Sequence, residues 1–187
     1  YVSDRLIVDV RDEEKILAFA KEHGIDGVIT DQTDIAVRSV AYVAEKMGLP
    51  GIGYETGLLF TDKSRMRARL RELGLPVLVN RTVASVEEAI AFFRELSNSA
   101  PNHEVPVRVI IKPLDTQGSR GVQVCANEQE LRDKYDEAAR WSSSHEVIVE
   151  HFATGREFVV EALALNHEYR PLCIGDTLYF DIPDAFA

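Results

Sequence analysis

This 187-residue chain has only two cysteines, Cys125 and Cys173. Both sit in apolar, strand-like runs and read as buried small hydrophobes, so neither a disulfide framework nor a cysteine metal site is expected. Long apolar runs are missing too. No segment approaches the ~20 apolar residues that a membrane-spanning helix needs. No cationic stretch followed by an apolar one opens the chain as a secretory leader would, and a cytoplasmic setting is expected. Positive charge is scarce: 21 Lys and Arg stand against 31 Asp and Glu, a net charge of -10. Nucleic-acid surfaces need clustered Lys and Arg, so that class of partner is excluded. An anionic small ligand would be repelled by the average field, and its site has to be locally basic. The remaining composition is that of an ordinary globular protein of one or two domains. Tyr1 stands in what reads as the run-up to a strand, and residues 184–187 read as a loop. Both ends are expected to be cuts through a longer protein.

Residues 108–125 are the most informative stretch. The β-branched run Val109-Ile110-Ile111 ends in Lys112-Pro113. A polar loop containing Gly118 and Gly121 follows, and a second apolar run begins at Val122. A lysine at a strand end, facing a glycine loop, is suited to holding a polyphosphate. Glycine lets backbone N–H groups approach an anion with no Cβ in the way. Lys112 and Arg120 add fixed positive charge.

The periodicity before this stretch predicts strands at 6–10 and 27–30. Between and after them it predicts a helix from Asp12 to about 22, with Ile16, Leu17 and Ala20 on one face, and a helix at about 35–47. Core candidates in the second helix are Ile35, Val40, Val43 and Met47. This β-α-β-α rhythm implies parallel strands with right-handed crossovers, the later part of a Rossmann-like unit. Thr61 or Asp62 can cap a helix to 73. Ser85 to Glu88 form a capping box opening a helix to about 96, and Asn127 with Glu130 form a second cap-like pair for a helix to about 141. The clearest loop is 97–106. From 146 onward the pattern is strand-like: 147–149, 157–165, 169–174 and 177–182, with a hairpin turn at Asn166-His167-Glu168.

Four features recur in order: Asp62-Lys63 opening a helix, Lys112-Pro113 with the glycine loop, residues 147–152, and residues 155–161. Together they resemble the ATP-grasp superfamily, and within it the ATP-binding halves of carbamoyl-phosphate synthase large chains. The resemblance spans nearly the whole chain. It implies an α/β and α+β fold: the tail of a Rossmann-like pre-ATP-grasp domain over residues 1–61, a small lid with a glycine flap over 62–145, and the start of a larger antiparallel subdomain over 146–187, truncated at its C-terminal end. It implies that Lys63 reaches nucleotide phosphate and that Lys112 faces the α- and β-phosphates. Gln117, Gly118, Ser119, Arg120 and Gly121 become the flap over the phosphates. Glu150 becomes the acceptor for the adenine amino group, Phe152 the residue whose backbone N–H meets an adenine ring nitrogen, and Glu157 the carboxylate on the ribose hydroxyls. His151 lies within the adenine-facing stretch, its side chain reading as surface.

The chemistry wants these residue types in its own right. Adenine offers an amine donor and ring acceptors. Ribose offers two hydroxyls that a carboxylate accepts. One cation within ~4 Å of a phosphate charge is worth about 4 kcal/mol at a surface-like dielectric, before desolvation.

Taken singly, each feature has a plainer reading. The glycine loop is an ordinary hairpin turn, Lys63 a solvated first-turn residue, Glu150 and Glu157 strand-surface carboxylates, Phe152 core. Their joint order favours a nucleotide site. The resemblance implies ATP, Mg2+ in the full-length protein, a small carboxylate substrate, a second copy of the chain as homodimer partner, and a ligase reaction through an acylphosphate. Two departures stand out. The flap has only two glycines, with Arg120 between Ser119 and Gly121. The acidic and amide residues that hold magnesium in the family have no match here, and Glu161 and Asp176 are not counted as ligands. A non-catalytic nucleotide-binding module is the alternative, and a purely structural α/β domain is the third reading.

Overall fold

In the computed structural model, residues 3–31, 33–99, 106–166 and 168–178 are described. The Asp12 carboxylate accepts from the Lys15 N–H at 3.2 Å and starts helix α1, Glu13–Glu22. A 3₁₀ turn, Asp34–Ala36, leads into α2, Val37–Met47, which ends at Gly48 in the left-handed conformation. Leu17, Ala20 and Val43 form the small core between these helices, flanked by Ile16, Ile25 and Met47. Ile35, expected in that core, lies in the 3₁₀ turn and is exposed.

The strands expected at 6–10 and 27–30 do not form. Ile7 and Ile29 are 88% and 89% exposed. An apolar run becomes a strand only where a neighbour takes up its N–H and C=O groups, and among the described residues no strand lies beside these segments.

Helix α3, Tyr54–Thr61, was not legible in the sequence. It contains Gly57, where a Cβ would stand 2.9 Å from the Ala41 Cβ, so glycine there permits close approach to α2. Helix α4, Lys63–Glu72, follows at once, capped by Asp62, whose carboxylate accepts from the Arg65 N–H at 2.9 Å.

Four antiparallel strands form the main sheet: β1 Asn80–Val83, β2 Val109–Pro113, β3 Gln123–Cys125 and β4 Val147–His151, in the order β1-β4-β2-β3. Helices α5, Val86–Ser99, and α6, Glu128–Arg140, cover one face. Both expected capping boxes are present. The Glu88 N–H donates to Ser85 Oγ, and the Glu130 N–H donates to Asn127 Oδ1. Helix α5 extends through 97–99, the start of the expected loop; residues 100–105 of that loop lie outside the described residues.

The strand expected at 147–149 is a correction in sheet membership. It was expected to open the later sheet, but β4 is an inner strand between β1 and β2. Its residues Val147, Ile148 and Val149 are fully buried there, and both of its hydrogen-bonding edges are taken.

Alternation along β2 and β4 builds the site. Val109, Ile111, Val147 and Val149 point into the core with α5 and α6. Ile110 and Lys112 alternate to the opposite face, where their partners are Glu150 and Ile148. Helix α4 lies on that second face, with Thr82 Oγ1 donating to Ser64 Oγ at 3.0 Å.

Strands β5, Phe158–Leu165, and β6, Glu168–Asp176, form the expected hairpin, with an irregularity at Glu161/Ala162. His167 in its turn lies outside the described residues, as do 179–182 of the last expected strand, while 177 and 178 are not in a strand. Nearly the whole hairpin is exposed, including Cys173, in contrast to the burial expected for it. Cys125 is buried as expected, and burial pushes its thiol up to about 11. No helix of the described residues is long and apolar enough to cross a membrane.

Candidate functional site

A cavity of about 1010 Å³ opens on the second face of the main sheet. That is at the upper end of the ~300–1,000 Å³ typical of small-molecule sites. Its floor is Ile110 and Lys112 of β2. Residues 116–119 form one wall, residues 152–157 the opposite wall, and Asp176 to Leu178 the outer rim. Lys63 and Met66 of α4 close the inner end.

Lys63 and Lys112 both line the cavity. Lys63 Nζ donates to the Thr116 carbonyl at 2.6 Å and the Leu114 carbonyl at 3.4 Å, and its backbone N–H donates to Leu114 at 3.0 Å. It therefore ties the root of the glycine loop to the start of α4. Burial, and then the charge of Lys112, lower its ammonium below the ordinary lysine value. A bound anion would reverse the second effect. Placing Lys63 in the first turn is unfavourable for the helix dipole, a local cost consistent with a site residue.

Lys112 Nζ donates to Glu150 Oε2 at 2.7 Å. Glu150 is fully buried, does not line the cavity, and also accepts from Arg67 Nε at 2.6 Å. Burial alone would raise its carboxyl, but the hydrogen bonds from Arg67 and Lys112 outweigh it and hold the group below the ordinary value. Glu150, expected to face the adenine amine, thus has two cations as partners, Arg67 on Oε1 and Lys112 on Oε2. Arg67 was missed in the sequence. Its signal was there: it lies four residues after Lys63, on the same helix face.

The glycine loop adopts left-handed backbone at three positions. Gly118, Ser119 and Gly121 have φ of 64°, 55° and 72°. A Cβ on Gly121 would stand 2.7 Å from Trp141 Cδ1 and 2.9 Å from Pro113 Cγ, whereas one on Gly118 meets nothing within 4 Å. Gly121 is needed for packing at the base of the loop, Gly118 for the turn at its tip. Gln117, Gly118 and Ser119 line the cavity; Arg120 and Gly121 do not. Arg120 instead lies over the Trp141 ring at 5.8 Å and donates to the Gln117 carbonyl.

On the opposite wall, Phe152 lines the cavity, but its backbone N–H already donates to the Arg108 carbonyl at 2.9 Å. The expected adenine contact through that N–H is corrected on this ground. The next residue, Ala153, also lines the cavity. His151 is exposed outside it, its N–H donating to the Val79 carbonyl. Glu157 lines the cavity, and its carbonyl accepts from the Thr177 N–H at 2.9 Å. Arg156 clamps Asp176 with contacts of 2.8 Å to both carboxylate oxygens. Among the described residues, no group of three or more His, Cys, Asp or Glu side chains converges.

Residues 62–169 match the family described as carbamoyl-phosphate synthase L chain, ATP binding domain. Solved structures share the fold. The chain is 22% identical to L-amino acid ligase from Bacillus licheniformis, covering 92% of this chain and 39% of that one at a TM-score of 0.67. It is 21% identical to the biotin carboxylase domain of Hydrogenobacter thermophilus 2-oxoglutarate carboxylase, described with MgADP, ADP and bicarbonate, covering 84% and 35% at 0.64. It is 21% identical to phosphoribosylglycinamide synthetase from Anaerococcus prevotii, covering 93% and 40% at 0.60. The chain thus spans 35 to 40% of the length of these three proteins.

Proposed function

Because the chain belongs to the carbamoyl-phosphate synthase L chain ATP-binding family of the ATP-grasp fold, we propose that it is the ATP-binding part of a ligase that joins a small carboxylate to an amine. The carrying observation is the cavity that gathers Lys63, Lys112, the Gly118–Ser119 turn and Glu157 around one space. In this proposal the triphosphate lies between Lys63, Lys112 and residues 117–119. The adenine lies along 152–154, with the Ala153 N–H in place of the Phe152 N–H. The ribose hydroxyls meet Glu157.

The chemistry that follows is acyl activation. A substrate carboxylate oxygen forms a bond to the γ-phosphorus as the bridging oxygen of ADP leaves. The amine then attacks the acyl carbon and inorganic phosphate departs. The chain's own residues orient the triphosphate and neutralise its charge, and no side-chain nucleophile is called for. The boundary at 61, a homodimer and a cytoplasmic setting belong to this proposal.

Titration calorimetry with ATP and a non-hydrolysable analogue tests the reading. Saturable binding is expected, and Lys112→Ala should weaken it about tenfold or more, the loss of one charge-assisted contact. No binding to a folded sample would overturn it. Phosphate release with candidate carboxylates, measured on a longer protein containing this chain, separates a ligase from a nucleotide-binding module.

A further inference from the structure

Behind the loop that walls the first cavity lies a second one, of about 660 Å³. Thr61, Thr116 and Gln117 are shared by both walls. Five arginines line it: Arg11, Arg38, Arg65, Arg120 and Arg140, against the carboxylates Asp62 and Asp115. They come from five separate places in the chain, and the fold gathers them in a protein of net charge -10.

Two of the five are already clamped. Arg11 holds Asp9 at 2.8 Å, and Arg38 holds Glu13 at 2.8 Å. The other three are not. Arg65 approaches Asp62 and Glu55 only at 3.9 Å. Arg120 donates to the Gln117 carbonyl and Arg140 to the Asp136 carbonyl, each at 3.2 Å, and neither meets a carboxylate among the described residues. Asp115 accepts from the Ser143 N–H at 3.1 Å, and Asp62 from the Arg65 N–H at 2.9 Å. The arginines that remain are rigid forks of N–H donors matched to carboxylate and phosphate oxygens. The Trp141 face beside Arg120 supplies an apolar side.

We propose that this second cavity binds a small organic polyanion carrying two or more carboxylate or phosphate groups, held chiefly by Arg65, Arg120 and Arg140. It is separate from the ATP cavity and shares with it Thr61, Thr116 and Gln117.

Trp141 is the chain's only tryptophan and lines this cavity, so its fluorescence reports occupancy. The probes are tricarballylate, a tricarboxylate, and inorganic pyrophosphate, with acetate as the single-charge control and calorimetry as a second readout. Saturable binding of at least one polyanion below about 1 mM is expected, and which one binds distinguishes carboxylate from phosphate chemistry. Arg140→Ala and Arg65→Ala, on different helices and each checked for folding by circular dichroism, should each weaken it about tenfold or more. Lys112→Ala should leave it within about twofold. No saturable binding of either polyanion would overturn the proposal. So would acetate binding equally well, both arginine variants binding like the parent, or loss through Lys112→Ala. Polyanion binding without ATP binding would leave this proposal standing while the ATP reading fell.

Discussion

Glu150→Ala removes a carboxylate that two cations share. Glu150 is fully buried, and the side chains of Arg67 and Lys112 are 24% and 23% exposed. Removing one partner of a buried pair costs about 3–5 kcal/mol, because the charge left behind is uncompensated. The stranded cations keep some solvent contact, which screens part of that cost, and about 2–4 kcal/mol is expected. At roughly 2 kcal/mol per molar urea for a chain of this size, the unfolding midpoint should fall by about 1–2 M. Urea unfolding followed by circular dichroism measures this. Glu150→Gln keeps the shape and one acceptor and should fall between parent and alanine variant. A midpoint for Glu150→Ala within about 0.2 M of the parent would refute the pairing. The same variant tests the role of Glu150 toward the base. Inosine triphosphate lacks the adenine amine. If Glu150 acts only through Lys112, ATP and inosine triphosphate should weaken together. A loss confined to ATP would restore the adenine-facing role.

Acid should expose the same group. Its folded-state value lies below the ordinary 4.5, so its stabilising effect is present above that value and is lost as pH falls through the folded one. The parent should therefore lose more stability between pH 7 and 3 than Glu150→Gln does, read as urea midpoints. Gly121→Ala adds a Cβ against Trp141 and Pro113 in addition to its positive φ, while Gly118→Ala meets only the φ penalty. Thermal unfolding should place Gly121→Ala about 2–4 kcal/mol and Gly118→Ala about 1 kcal/mol below the parent; equal losses would dismiss the contact at Gly121. Asn127→Ala removes the cap of α6 and should cost about 1 kcal/mol by the same measurement.

Much of the local structure was legible because its causes are local. Asp12, Asp62, Ser85 and Asn127 announce helix starts by supplying acceptors to otherwise unpaired N–H groups, and all four do so. The β-branched runs at 109–111 and 147–149 form strands because they are buried. Helix α3 was hidden because its Gly57 reads as a breaker until the close contact with Ala41 is known. The runs at 6–10 and 27–30 carry strand-like sequence, yet no neighbouring strand completes them among the described residues.

The sequence by itself determined four helix starts, the strands at 109–111 and 147–149, the lysine at the end of β2 and the family. Those depend on residue type, spacing and capping, which act over a few positions. Only the tertiary structure decided which polar groups are already engaged. Glu150 is claimed by Arg67 from 83 residues away, and the Phe152 N–H by the Arg108 carbonyl from a different segment of the chain. Arg65, Arg120 and Arg140 become one basic cavity only when α4, the glycine loop and α6 meet. Long-range partners are chosen by packing, and no local pattern records them.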